Sequence, residues 1–268
     1  MSREITMRQD SRRAGGDDDR CFASLHDIRF GKTPIAISPR SVPLPEQHEG
    51  RAAVLAQLEV ACRGVRSDGR NGAQAGEHAR PVAQSTGFAE LDAVLPGGGW
   101  PVGAITELMP EVMGIGELSL LMPALAQLCR AGRHVAWIAP PCLPYPPALI
   151  RHGIALEQLL LIQTRDARSA LWAAEQALRC PAIGAVLAWP DNVDDRQLRR
   201  LQLAAESGGS CGLLYRSPSC AQQYSPAALR LLLRASAVGA SAAGLHITIH
   251  KARGGHTHAL VVHPVAAA

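Results

Sequence analysis

Residues Met109 to Glu117, MPEVMGIGE, lie between a β-rich run and an apolar helical pattern. Strand, loop, helix is the layout in which backbone N–H groups at a helix start cradle phosphates. That loop needs G-x-x-x-x-G-K-[ST], where the Lys reaches the β- and γ-phosphates and the hydroxyl holds Mg²⁺. Here Met109 takes the first Gly position, with Pro110 and Glu111 behind it. Gly114 takes the last Gly position, Ile115 that of the Lys and Gly116 that of the Ser/Thr. With no cation and no hydroxyl, the loop reads as a degenerate nucleotide-binding loop and no cofactor is expected; nucleotide binding without hydrolysis is the weaker alternative, since the Gly114-Ile115-Gly116 turn still offers N–H groups to an anion. Glu117 competes for the same positive field as an internal anion mimic.

Other residues with chemical capacity carry plainer readings. Gly31–Thr33 spells GKT, but His26 stands where the earlier Gly is required and Pro34 follows, so it is a decoy. His246, His250, His256, His258 and His263 crowd the C-terminal end. His246 and His250 are about 13 Å apart along a strand, too far for one metal, so a solvated outer face is expected. Arg196, Arg199 and Arg200 share one helix face at i, i+3, i+4 spacing; they suit DNA or an acidic partner, with a solvated face as the bland alternative. The seven Cys are odd in number and form no C-x-x-C pair, which argues against a disulfide framework and a thiolate zinc site. The 27 basic residues include only two Lys, Lys32 and Lys251. A net charge of +4 permits an acidic partner without demanding nucleic acid. No signal-like apolar region opens the chain and no apolar run reaches about 18 residues, so a cytoplasmic protein with no membrane contact is expected.

The elements that must position these residues fall into three parts. Residues 1–48 are polar and broken by Pro, with no persistent period, and are expected to be disordered. Residues 49–80 hold one amphipathic helix, RAAVLAQLEVACRGV, and a Gly-rich linker. The helix carries an apolar stripe, Val54, Leu58, Cys62 and Val65, which either docks on the core or meets a partner. Residues 81–268 form the core. Apolar strands are expected at Ile105–Met109, Val135–Ala139, Leu159–Gln163, Ile183–Trp189 and Cys211–Tyr215. Helices are expected at Glu117–Arg130, Arg168–Arg179, Asp194–Glu206 and Pro226–Arg234, with Asp191 and Asn192 capping the third. Alternating β-runs and helices imply an α/β fold with a mostly parallel sheet. GLHITIHKARGGHTHALVVHPV reads as an antiparallel hairpin that finishes it. Aromatics are 4% of the chain, so the core is aliphatic, with Trp172 and Trp189 inside and Trp100 anchoring a Gly-rich turn.

The run STGFAELDAVLPGGGWPVG, Ser85 to Gly103, resembles the lead-in to the RecA recombinase core, S-T-G-x-x-x-L-D-x-x-L-x-G-G-G-x-P-x-G. With GIGEL after it, the segment more narrowly resembles the ImuA family of RecA-like accessory proteins in translesion synthesis, itself similar to the SulA division inhibitors. The resemblance implies a RecA-like core with helices flanking a mostly parallel sheet. It also implies a role in SOS-type DNA damage tolerance. The implied partners are RecA, an ImuB-like Y-family polymerase homologue and an error-prone replicative-type polymerase, with indirect association with DNA. Active RecA-like ATPases place an acid after the second strand; over WIAPPCLPYPPALIRHG the Glu position falls on Pro141 and the Asp before it on Ala139. They place an Asp after the fourth strand; here Trp189 stands there, with Asp191, Asp194 and Asp195 nearby. A docking protein without ATPase chemistry is therefore expected. Its binding candidates are Val54, Leu58, Cys62, Val65, Arg196, Arg199 and Arg200. The alternatives are a SulA-like inhibitor that binds FtsZ and, third, a working DNA-dependent ATPase.

Overall fold

The computed structural model describes residues 29–30, 33–34, 50–64, 83–190, 192–236 and 244–264. Almost all of the expected polar head, Val65, and the 67–81 linker lie outside these. Lys32 of the GKT triplet lies outside them as well.

An eight-stranded sheet organises the core. Its strands are β1 (Ala104–Pro110), β2 (His134–Ile138), β3 (Leu159–Ile162), β4 (Ile183–Ala188), β5 (Cys211–Tyr215), β6 (Leu229–Ser236), β7 (Gly244–Ala252) and β8 (His258–Val262). Their spatial order is β8-β7-β6-β1-β5-β4-β2-β3. From β3 to β6 every pairing is parallel, and β6-β7 and β7-β8 are antiparallel, so the C-terminal hairpin closes the sheet as expected.

Helices cover both faces. The parallel strands alternate between two apolar clusters, as a sheet covered on both sides requires. Val135 and Trp137 of β2 face one cluster, with Leu91, Leu121 and Leu125. Ala136 and Ile138 face the other, with Leu178, Leu198 and Leu201. The first face is packed by α2 (Ala89–Val94), α3 (Met122–Arg130) and α4 (Pro146–Arg151). The second is packed by α1 (Arg51–Gly64), α5 (Ala167–Arg179) and α6 (Asp195–Gly208).

Three expectations are corrected. The segment from Pro226 is not helical: Leu229–Ser236 is β6, paired with β1 and β7. Its Leu-rich run reads as helix by propensity, but the vacant edge of β1 takes it as a strand. Regular helix α3 starts at Met122 rather than Glu117, with residues 117–121 in turns. The cap of α6 is Asp194 itself, whose carboxylate accepts from the Gln197 N–H while the Gln197 side chain bonds back, a full capping box.

Packing of α1 on α5 also pairs the sulfurs of Cys62 and Cys180, 118 positions apart, with Cα atoms 7.2 Å apart. This is a single pair rather than a framework. Among the described residues no helix is long and apolar enough to cross a membrane.

Candidate functional site

The Ser85–Gly103 lead-in works as a scaffold. The Asp92 carboxylate accepts from the Ser85 hydroxyl at 2.7 Å and the Thr86 N–H at 2.8 Å, which folds the turn onto α2. Gly87 has φ of +86°, and a Cβ there would sit 2.4 Å from that of Pro123 at the start of α3. A Cβ on Gly99 would meet the Gln84 carbonyl oxygen at 2.1 Å, where Gln84 pairs with Trp100. Trp100 is buried in the core, the anchoring role expected of it. The signature residues thus hold the chain that feeds β1 and present no reactive group.

β1 then delivers the loop. Met109 and Pro110 finish the strand, buried, and Glu111 is exposed. Gly114, at φ of +89°, and Gly116, at +105°, aim their N–H groups inward. Both meet Glu117. The Gly114 N–H donates to its two carboxylate oxygens at 2.9 and 3.0 Å, and the Gly116 N–H donates to one at 3.1 Å. Glu117 is buried, so the bonds form out of water, where they are strongest. Ile115 packs against the apolar cluster instead of reaching outward. An anion therefore already sits where the loop's N–H groups converge, and it belongs to the chain. The residues present do not fit a nucleotide's phosphates.

Beneath the loop lies an aromatic stack. Trp189, just past β4, stacks on Tyr215 with ring centroids 4.9 Å apart and planes 2° apart. Trp137 leans on Trp189 at 5.9 Å. The Tyr215 hydroxyl donates to the Glu117 carbonyl at 3.3 Å. Burial, and then the Glu117 charge, push the Tyr215 phenol well above its usual range, so it stays a neutral donor. The indole of Trp189 fills with apolar surface the place expected of an acid. Ala139, past β2, holds φ of +47° with its N–H on the Ile162 carbonyl, and Pro141 behind it is exposed. Asp191 lies outside the described residues. No group of three or more His, Cys, Asp or Glu among the described residues is placed to hold a metal, the C-terminal histidines included.

The comparisons with known proteins agree on this region. A family model described as "Cell division inhibitor SulA" matches residues 103–212. Protein ImuA of Caulobacter vibrioides (strain NA1000 / CB15N) is 29% identical over 151 residues, covering 54% of this chain and 62% of that protein. The chain thus spans less than two thirds of the length of this ImuA relative. Cell division inhibitor SulA of Edwardsiella piscicida is 35% identical over 98 residues, 36% of this chain and 58% of that protein. Cell division inhibitor SulA of Erwinia pyrifoliae is 30% identical over 118 residues, 43% of this chain and 70% of that protein. The chain belongs to the SulA-like family. The ImuA relatives match it as well.

The SulA-like stretch runs from the foot of β1 into β5, and so carries the loop, Glu117 and Trp189. Outside it, α1 lies against α5. Val54 is 1% exposed and Leu58 5%, packed with Ile162, Ala173 and Ala177. The stripe from α1 is used inside this chain, and any partner role would need α1 to leave that bed. Arg196 and Arg199 are exposed on α6. Arg200 is partly committed, since it pairs with the buried Glu175 beside Arg179.

Sequence reasoning missed one buried charge cluster. Glu107 of β1 is fully buried; its carboxylate takes Arg216 at 2.8 Å, Arg230 of β6 at 2.5 Å and the Ser225 hydroxyl at 2.9 Å. Arg216 also donates to the Val193 carbonyl, tying the loop before α6 to β1 and β5. Its partners lie more than 100 residues from Glu107, beyond any local pattern.

Proposed function

We propose that this chain is a non-catalytic, RecA-like accessory protein of SOS-type DNA damage tolerance that works by docking to other proteins. The observation that carries the reading is the Glu117 carboxylate held by the Gly114 and Gly116 N–H groups. A RecA-like loop answers to ATP through those same N–H groups and a Lys. A loop filled by its own carboxylate, with Ile115 at the Lys position, does not respond to nucleotide. The order of the strands and the Ser85–Gly103 lead-in support a RecA-like core, and the ImuA relatives support the setting in translesion synthesis.

The partners that follow are RecA, an ImuB-like polymerase homologue and its error-prone polymerase, with DNA reached through them. The docking residues proposed are Arg196 and Arg199 of α6, which are exposed as they stand. Val54, Leu58 and Cys62 of α1, with Val65 after it in the sequence, would serve by exchange onto a partner, with Arg200 at the edge of the α6 face. A cytoplasmic location fits these partners.

The match of residues 103–212 to the SulA model favours a second reading, a division inhibitor that binds FtsZ. Purified full chain mixed with RecA, with the ImuB-like protein and with FtsZ on a biosensor separates the two. We expect binding to the first pair, weakened at least about tenfold by Arg196→Glu with Arg199→Glu. Binding to FtsZ alone would contradict the first reading and support the second.

A further inference from the structure

Helix α1 holds the core by a narrow seam. Among its described side chains Val54, Leu58 and Ala61 are buried, while Leu55 and Val60 are exposed. An element with so few buried apolar side chains opens locally at low cost. Its two ends carry more specific attachments. At the first turn the Arg51 guanidinium lies over the Trp172 ring of α5, 5.1 Å from the ring centre. At the last turn the sulfur of Cys62 meets that of Cys180, the residue that ends α5. We propose that Cys62 and Cys180 form a reversible disulfide that latches α1 onto α5 when oxidised and lets it leave when reduced. This goes beyond the docking reading above: it concerns when α1 can move, not which partner receives it.

Exposure gives the two sulfurs different roles. Cys62 follows the buried Leu58 by four residues, which turns its sulfur toward α5, yet the residue stays exposed. Cys180 is buried. An oxidant in solution reaches Cys62 first, and Cys180 stands behind it as the resolving thiol. Other thiols of the core are poorer partners. Cys129, Cys211 and Cys220 are buried. Burial pushes the Cys129 thiol up and the Cys211 thiol up to about 12, so neither readily forms the thiolate that attacks.

The oxidant is a low-molecular-weight disulfide of the glutathione type, RS–SR. The Cys62 thiolate attacks one of its sulfurs; a Cys62–SR bond forms and one RS⁻ leaves. The Cys180 thiolate then attacks the Cys62 sulfur; the Cys62–Cys180 bond forms and the second RS⁻ leaves. Two protein thiols lose two electrons and two protons, and the small disulfide takes up both and departs as two RSH. Excess RSH runs the same steps backward. Where the thiol pool is reduced the latch stands open, and it closes as that pool is oxidised. Closed, it joins positions 118 residues apart, so α1 cannot leave α5 until the bond is cleaved. Open, only the narrow seam and the Arg51 pairing oppose its departure.

The test uses the full chain, reduced, freed of reductant without air, and equilibrated in mixtures of oxidised and reduced glutathione. Tryptic mapping without reductant identifies linked peptides by mass, and hydrogen exchange follows the amides of α1. We expect the Cys62 and Cys180 peptides to become linked as oxidised glutathione rises and to separate again in excess reduced glutathione. The α1 amides should exchange at least about tenfold more slowly in the oxidised chain than in the reduced one, while those of β1 and β5 exchange alike in both. Cys62→Ser should remove the difference. Cys142→Ser, which removes another exposed thiol, should keep it. The two states of the parent carry the comparison even where a variant folds poorly. Absence of the link, a Cys62 link to a different cysteine, a link that does not reopen, or a linked chain whose α1 exchanges as fast as the reduced one would each overturn the proposal.

Discussion

Glu117 gives the Gly114 and Gly116 N–H groups the partner that a phosphate would give them in a working loop. Its presence was legible in the sequence, because a carboxylate one residue past a Gly-x-Gly turn has few other donors within reach. Removing it leaves the buried Gly116 N–H and the half-buried Gly114 N–H without partners, a cost of about 2 kcal/mol. Glu117→Ala should therefore melt about 4–8 °C lower than the parent. Millimolar inorganic phosphate should recover part of that loss in the variant and leave the parent unmoved. An unchanged melt, or equal recovery in both, would show that the carboxylate does not stand in for an anion. Glu107 was not legible, since a single acid in an apolar strand gives no sign of two arginines arriving from later strands. Glu107→Gln would leave Arg216 and Arg230 buried without a carboxylate. We expect a loss of about 3–5 kcal/mol, read as a drop of about 1–2 M in the urea midpoint. A shift within error would mean that the network is solvated.

At the scale of elements, the sequence located β1 to β5 because each is a short apolar run bounded by turn residues. It misjudged β6 because LRLLLR places leucines at spacings that fit either period. Arg230, which reads as the polar side of a helix, is in fact buried on Glu107. It started α3 early because Leu118 and Leu121 continue the helical stripe, whereas Gly116 at φ of +105° and the folded-back Glu117 side chain hold the first turn open. The stripe of α1 was legible as apolar, but no sequence pattern says which surface covers it. With Leu58 buried beside Ala173 and Ala177, Leu58→Asp should detach α1 from α5. In reducing buffer, which frees Cys62 from Cys180, trypsin should then cleave at Arg51 or Arg63 faster than in the parent, and the melt should fall by several degrees. An unchanged melt with lost partner binding would instead place α1 in a partner's interface.

For the whole molecule, the order β8-β7-β6-β1-β5-β4-β2-β3 puts the ends of β1, β5, β4 and β2 side by side. The filled loop, Tyr215, Trp189 and Ala139 stand at those ends. Alternation of strands and helices made the parallel sheet and the closing hairpin legible. The position of β6 between β1 and β7 was not, because it depends on long-range pairing alone. In a RecA-like ATPase this row of strand ends would hold Lys, Mg²⁺ and water-directing acids; here it holds Ile115, Trp189 and Pro141. Each such group typically contributes several kcal/mol of transition-state stabilisation where it is present, so the proposed reading expects no turnover. The central claim is thus a binding module without ATP chemistry, and phosphate release tests it most directly. Purified full chain is incubated with Mg-ATP, with and without single-stranded DNA. We predict release no greater than the buffer control in both conditions. Steady release that is stimulated by DNA and abolished by Glu117→Ala would contradict the account.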